Sequence, residues 1–142
     1  MPAAGFEDIP GWARDLLATA RSAHLGLLDG DGRPRVLPVT YAACGEAFVT
    51  AVDHKPKTVE GRDLARVRWL RERPAAALTI DRYSDDWSRL EWVQALGDAE
   101  VLDEPPAGAL EALAARYAQY AERPPGGPFI RLAPHRFVYW RA

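Results

Sequence analysis

Three short apolar runs follow one another between residues 24 and 52, and the chain joining them is too short for any two neighbours to lie parallel. Residues 24–28 end in Asp29-Gly-Asp-Gly-Arg-Pro34, whose glycines supply the positive φ of a reversal. Residues 35–41 return, Ala43-Cys-Gly-Glu46 offers a second turn, and residues 47–52 form a β-branched run of strand length. A parallel pair needs a crossover of about a dozen residues or more, so these strands form an antiparallel meander.

The remaining pattern extends the meander rather than replacing it. Residues 8–20 read as a helix, with Pro10 where a first turn tolerates proline and Trp12, Leu16 and Leu17 near one face. Residues 60–73 read as a second helix that must stop at Pro74. Strand character returns over 75–83, then over 90–102, where Gly97 marks a bulge or bend. Residues 105–120 carry Leu110, Leu113 and Tyr117 at helical intervals, and residues 129–142 close the chain as a strand. The expectation is a mostly β fold with flanking helices: about six strands in a closed or partly closed antiparallel barrel. A length of 142 residues suits one domain over 1–142.

Several chemistries lack their residues. His24, His54 and His135 are far apart, with Cys44 the lone cysteine, so no zinc-ligand spacing and no metal site is expected. Gly30-Asp-Gly-Arg-Pro-Arg35 has arginine where a dinucleotide fingerprint needs its third glycine, and neither a phosphate-cradling Gly-Lys-Ser/Thr nor a Gly-x-Ser-x-Gly elbow occurs. Asp85 and Asp86 read as solvated turn residues rather than an acid/base pair. A net charge of −2 gives no reason to expect nucleic acid, and the start of the chain has no secretory pattern and no membrane-length apolar run. A cytoplasmic protein is expected.

Local charge departs from that balance. Residues 54–73 carry a net +4, leaving −6 elsewhere. At 100° per residue Arg62, Arg66 and Arg73 share one face of the expected helix, which serves either as a solvated surface or as an anion contact. Lys55, Lys57 and Thr58 precede it, and a helix N-terminus offers free N–H groups and a favourable dipole to an anion. Together they make a phosphate seat.

The run Leu25-Gly-Leu-Leu-Asp-Gly-Asp-Gly-Arg-Pro-Arg-Val-Leu-Pro-Val-Thr-Tyr41, with Asp53-His-Lys-Pro-Lys57 and Asp81-Arg-Tyr-Ser-Asp-Asp-Trp-Ser-Arg-Leu-Glu-Trp92, resembles the pyridoxamine-phosphate-oxidase-like split-barrel proteins. Their actinobacterial branch that uses the deazaflavin coenzyme F420 in place of FMN is the most similar. The resemblance runs from about Phe6 to Arg141 and implies a six-stranded split barrel, a homodimer and two cofactor clefts between protomers. It also implies that Lys55, Lys57 and Thr58 grip the cofactor phosphate. The flat ring would lie on a shelf of Pro38, Val39, Thr40 and Tyr41 with Thr50, Ala51 and Val52. Pro38 cannot donate to a ladder, which suits either a ligand's approach or a plain edge strand. Arg73-Pro74 departs from the family's frequent Asn-Pro, and Trp69 replaces a commonly polar residue, so Arg66 and Arg68 carry over less firmly than the lysines. Trp87 and Trp92, flanking Arg89, serve either as walls of the pocket or as core and interface.

A bound deazaflavin would explain the missing catalytic signature, because the cofactor carries the hydride chemistry and no side chain is required as nucleophile. A final proton would come from solvent or from a hydroxyl such as Tyr41 or Tyr83. The stripe of Arg62, Arg66 and Arg73 would meet the coenzyme's polyanionic oligoglutamate tail. The implied activity is hydride transfer between F420 and a small conjugated or heteroaromatic substrate. The alternatives are an FMN-dependent oxidoreductase on the same barrel and a non-catalytic carrier of the deazaflavin.

Overall fold

A computed structural model describes residues 2–52 and 64–142. The chain runs β1 (Pro2–Ala3), a 3-10 turn (Phe6–Asp8), α1 (Gly11–Thr19), β2 (Ala23–Leu28), β3 (Pro34–Val39), β4 (Ala42–Cys44) and β5 (Ala47–Ala51). It continues with α2 (Ala65–Glu72), β6 (Ala75–Arg82), a 3-10 turn (Trp87–Arg89), β7 (Glu91–Leu102), α3 (Ala109–Arg116), α4 (Ala118–Glu122) and β8 (Phe129–Arg141).

Seven strands are hydrogen-bonded in the order β3-β2-β6-β7-β8-β5-β4, with β1 added on β8, and every ladder is antiparallel. The sheet's two ends, β3 and β4, are separated in the chain only by Thr40 and Tyr41. Three Cα steps reach about 11 Å at most, so the sheet must curl until its edges nearly meet. That curl makes the half-closed barrel.

The strand count exceeds the expected six because Ala43 and Cys44, read from sequence as a turn, belong to β4. Gly45 at φ +63° makes the reversal within Gly45 and Glu46 alone. Gly97 sits at the expected bulge, where the β7/β8 register shifts and a Cβ would collide with the Ala133 carbonyl. Expected helix 105–120 is two helices, because Tyr117 is extended and its side chain is held elsewhere. Helix α2 follows an extended Leu64, and residues 60–63 lie outside the described residues.

Ile9 with Ala13, Leu16 and Leu17 of α1 joins the inward side chains of the strands, among them Leu25, Phe48, Ile80 and Phe137, in one buried cluster. A second cluster lies on the outside of β4 and β5. There Ala109, Leu113, Tyr117 and Tyr120 of the α3–α4 segment pack on Ala42, Val49, Ala51 and Phe129.

Candidate functional site

The shelf residues gather where the curled sheet closes. Strand β3 pairs only with β2 among the described residues, which leaves its other side a free edge. Pro38 is exposed on it, opposite His24 of β2. The Thr40 hydroxyl lies 2.9 Å from the Tyr120 hydroxyl, and Ala51 packs in the same cluster as Tyr120. The link after β3 therefore touches Tyr120, which shares a cluster with Ala51 of β5. Val39, Tyr41, Thr50, Ala51 and Val52 are buried, whereas exposed Pro38 and half-buried Thr40 present side chains to a ligand.

Tyr41 is a core anchor. Its side chain is fully enclosed, its hydroxyl donates to the Leu17 carbonyl at 2.6 Å, and burial pushes its pKa from 10.0 up to about 12 despite the nearby Arg116 charge. A hydroxyl so held does not serve as the proton source that the sequence suggested. Arg116, which the sequence reading passed over, ties this region together. It donates through Nε to the Tyr41 carbonyl at 2.8 Å and through its terminal nitrogens to the carbonyls of Ala18 and Ala20, at the end of α1. Its guanidinium stands 4.6 Å from the centre of the Tyr41 ring. The only sequence signal was a cation in a last helical turn, which is too common to single out.

The basic face is rearranged relative to expectation. Arg73 follows α2 and is engaged, donating to the carbonyls of Asp29 and Gly30 at 3.1 and 3.2 Å and pairing with Glu72. This clamps the β2–β3 turn on α2 and brings Arg35 over the Trp69 ring at 4.9 Å, one turn from Arg66. Arg35 thus lies against α2, the helix that carries Arg66, while Arg73 is turned to the β2–β3 turn. Lys55, Lys57, Thr58 and Arg62 lie outside the described residues.

The outer faces of β3, β2, β6 and β7 carry a concave feature. A trough of about 530 Å³ is lined by His24, Val36, Thr79, Asp81, Trp92 and Gln94, with the Gln94 amide donating to the Thr79 hydroxyl at 3.1 Å. Around it Val36 is 65% exposed and Trp140 45%. Trp92 is half-buried and reaches the trough, whereas Trp87 is 70% exposed in the loop beyond. Asp86 accepts from the Ser88 N–H and hydroxyl, which holds its carboxyl below the ordinary range; it caps a turn, as expected.

A curled antiparallel barrel with a free edge at a strand proline, flanked by helices, defines a split-barrel protein. The sequence pattern of the pyridoxamine 5'-phosphate oxidase family matches residues 9–141, and the chain belongs to that family, whose members include flavin-binding oxidoreductases. No curated protein matches it. Among solved structures it is similar to a conserved hypothetical protein of Mycobacterium tuberculosis, at 18% identity and TM-score 0.74, covering 94% of this chain and 86% of that one. It is also similar to the heme storage protein HutZ of Vibrio cholerae, at 13% identity and TM-score 0.68 over 89% and 91% of the two chains. A third is an F420 reductase, at 20% identity and TM-score 0.60 over 92% and 98%. These identities establish the fold; the neighbours' functions are mixed. No described helix is long and apolar enough to cross a membrane.

Proposed function

We propose that the chain is one split-barrel unit that forms a homodimer and uses coenzyme F420 to transfer a hydride to or from a small conjugated or heteroaromatic substrate. The observation that carries the choice of cofactor is the docking of the β2–β3 turn on α2, which sets Arg35 beside the helix of Arg66. Those cations suit a polyanionic tail, which F420 has and FMN lacks. The family match and the likeness to an F420 reductase support the same reading.

The residues present fit such a group. Pro38 and Thr40 leave a strand edge open to a flat ring, and the Tyr41–Arg116 anchor keeps that edge from shifting. Lys55, Lys57 and Thr58 would hold the phosphate, with Arg62 and Arg66 toward the tail. When bound, the deazaflavin supplies a two-electron hydride at a ring carbon. The protein's part is to orient that ring and exclude water. The apolar residues of the outer face, Val36, Val138 and Trp140, have the make-up of an interface core, and the second copy would cover them.

Fluorescence titration with F420 and FMN tests the reading. F420 is expected to bind more tightly than FMN, and Lys55→Ala with Lys57→Ala is expected to weaken F420 at least tenfold, since charge-assisted contacts contribute about 1.5–3 kcal/mol each. FMN retained through desalting, with no F420 binding, would give the FMN-dependent reading instead. Tight F420 binding with no oxidation of its reduced form by any quinone or enone would leave a carrier.

A further inference from the structure

We infer that the trough on the outer sheet face seats the substrate, and that its occupant is a neutral, flat conjugated ring whose carbonyl oxygen accepts a hydrogen bond from His24. This rests on the reductase reading for the ligand's role, but the binding site stands on its own geometry. A volume of about 530 Å³ lies in the range of small-molecule sites. Its lining includes the Trp92 indole and Val36, apolar groups that suit a planar ring.

Charge decides the class of ligand. The lining holds one carboxylate, Asp81, and no lysine or arginine, so a phosphate or carboxylate ligand would meet repulsion without a counter-ion. The cations lie instead at the turn–helix contact around Arg35 and Arg66, so two differently charged ligands have two differently charged seats. Within the trough Gln94 is fixed by its bond to Thr79, and His24 stands directly across the ladder from Thr79 on one side and Pro38 on the other. His24 therefore lies between the trough floor and the free edge where the cofactor ring is proposed to rest. In the proposed homodimer the second copy would lie over this same face, so the trough would open into the cleft between the two copies.

The test uses the full chain without cofactor. Menadione, a neutral naphthoquinone, is titrated while the NMR signals of the His24 ring and Trp92 indole are followed, with 2-naphthoate as the anionic control. Saturable shifts of both signals are expected, with 2-naphthoate at least tenfold weaker. His24→Phe is expected to raise the menadione Kd about tenfold, the loss of one hydrogen bond, while His24→Gln stays within threefold. Sedimentation on each variant confirms an unchanged oligomeric state. Absence of shifts, equal binding by His24→Phe, or equal binding of 2-naphthoate would overturn the inference. F420 titration on the same samples separates the two readings: F420 bound with His24 and Trp92 silent sinks only the trough, whereas menadione bound without F420 sinks only the reductase.

Discussion

The barrel's outer surface comes in two halves that the chain treats differently. Over β4 and β5, the α3–α4 segment supplies a second layer, and Leu113, Tyr117 and Tyr120 bury that side of the sheet. Over β3, β2, β6 and β7 nothing from the described chain does the same, and Val36, Pro38, His24 and Trp92 face outward around a trough. A sheet half gains stability when its apolar side is covered. The covered half is finished within the protomer, and the bare half is where a second chain and a ligand have room to contribute.

The comparison is broken most severely through Arg116, which joins α1 and α3 to the link between the sheet's edges. Arg116→Met would leave the carbonyls of Tyr41, Ala18 and Ala20 without their donor, and unfolding in urea should show a loss of about 3–5 kcal/mol. An effect below about 1 kcal/mol would mean that water replaces the guanidinium and that the covered half is not fastened there.

A smaller effect comes from titrating the anchor itself. Tyr41 is neutral in the fold and its pKa is raised from 10.0 to about 12, so its contribution is fully present below pH 10 and is lost as pH climbs toward 12. The linked loss approaches about 2–3 kcal/mol. Stability measured from pH 9 to 12 should fall along this window, and Tyr41→Phe should remove that part of the decline. Phenolate absorbance should show one tyrosine titrating later than the rest.

The smallest effect on folding belongs to the bare half. Val36→Glu should change the unfolding free energy of the dilute protomer by no more than about 0.5 kcal/mol, because the side chain is already in water. Sedimentation should nonetheless show the dimer's dissociation constant rising about a hundredfold. A dimer that tolerates the glutamate would place the partner on another surface.

The architecture was largely legible in sequence because its signals are local. Short linkers forbade parallel pairing, alternation marked β7, and Gly97 announced its bulge because only the absence of a Cβ lets Ala133 approach. The extra strand was missed because the Thr40-Tyr41 link and the Gly45 turn left β4 only Ala42, Ala43 and Cys44, too short for a periodic pattern. The helix over 105–120 was read as unbroken because nothing local says that Tyr117 is held by distant groups, its hydroxyl donating to the Arg21 carbonyl and accepting from the Tyr41 N–H.

The candidate site was less legible. Pro38 and Thr40 stand at an accessible edge, but helical periodicity placed Arg73 with Arg66 when Arg73 is engaged with the β2–β3 turn. Sequence alone determined the antiparallel strands, the charge segregated between residues 54 and 73, and the family to which they point, since each depends on neighbours along the chain. The tertiary structure decided that Tyr41 is an anchor, that Arg35 lies over Trp69 of α2 while Arg73 is engaged by the β2–β3 turn, and that His24 overlooks a trough. Those facts depend on which strands curl together, and a side chain's partners across such a curl lie up to a hundred residues away, where no local pattern reaches.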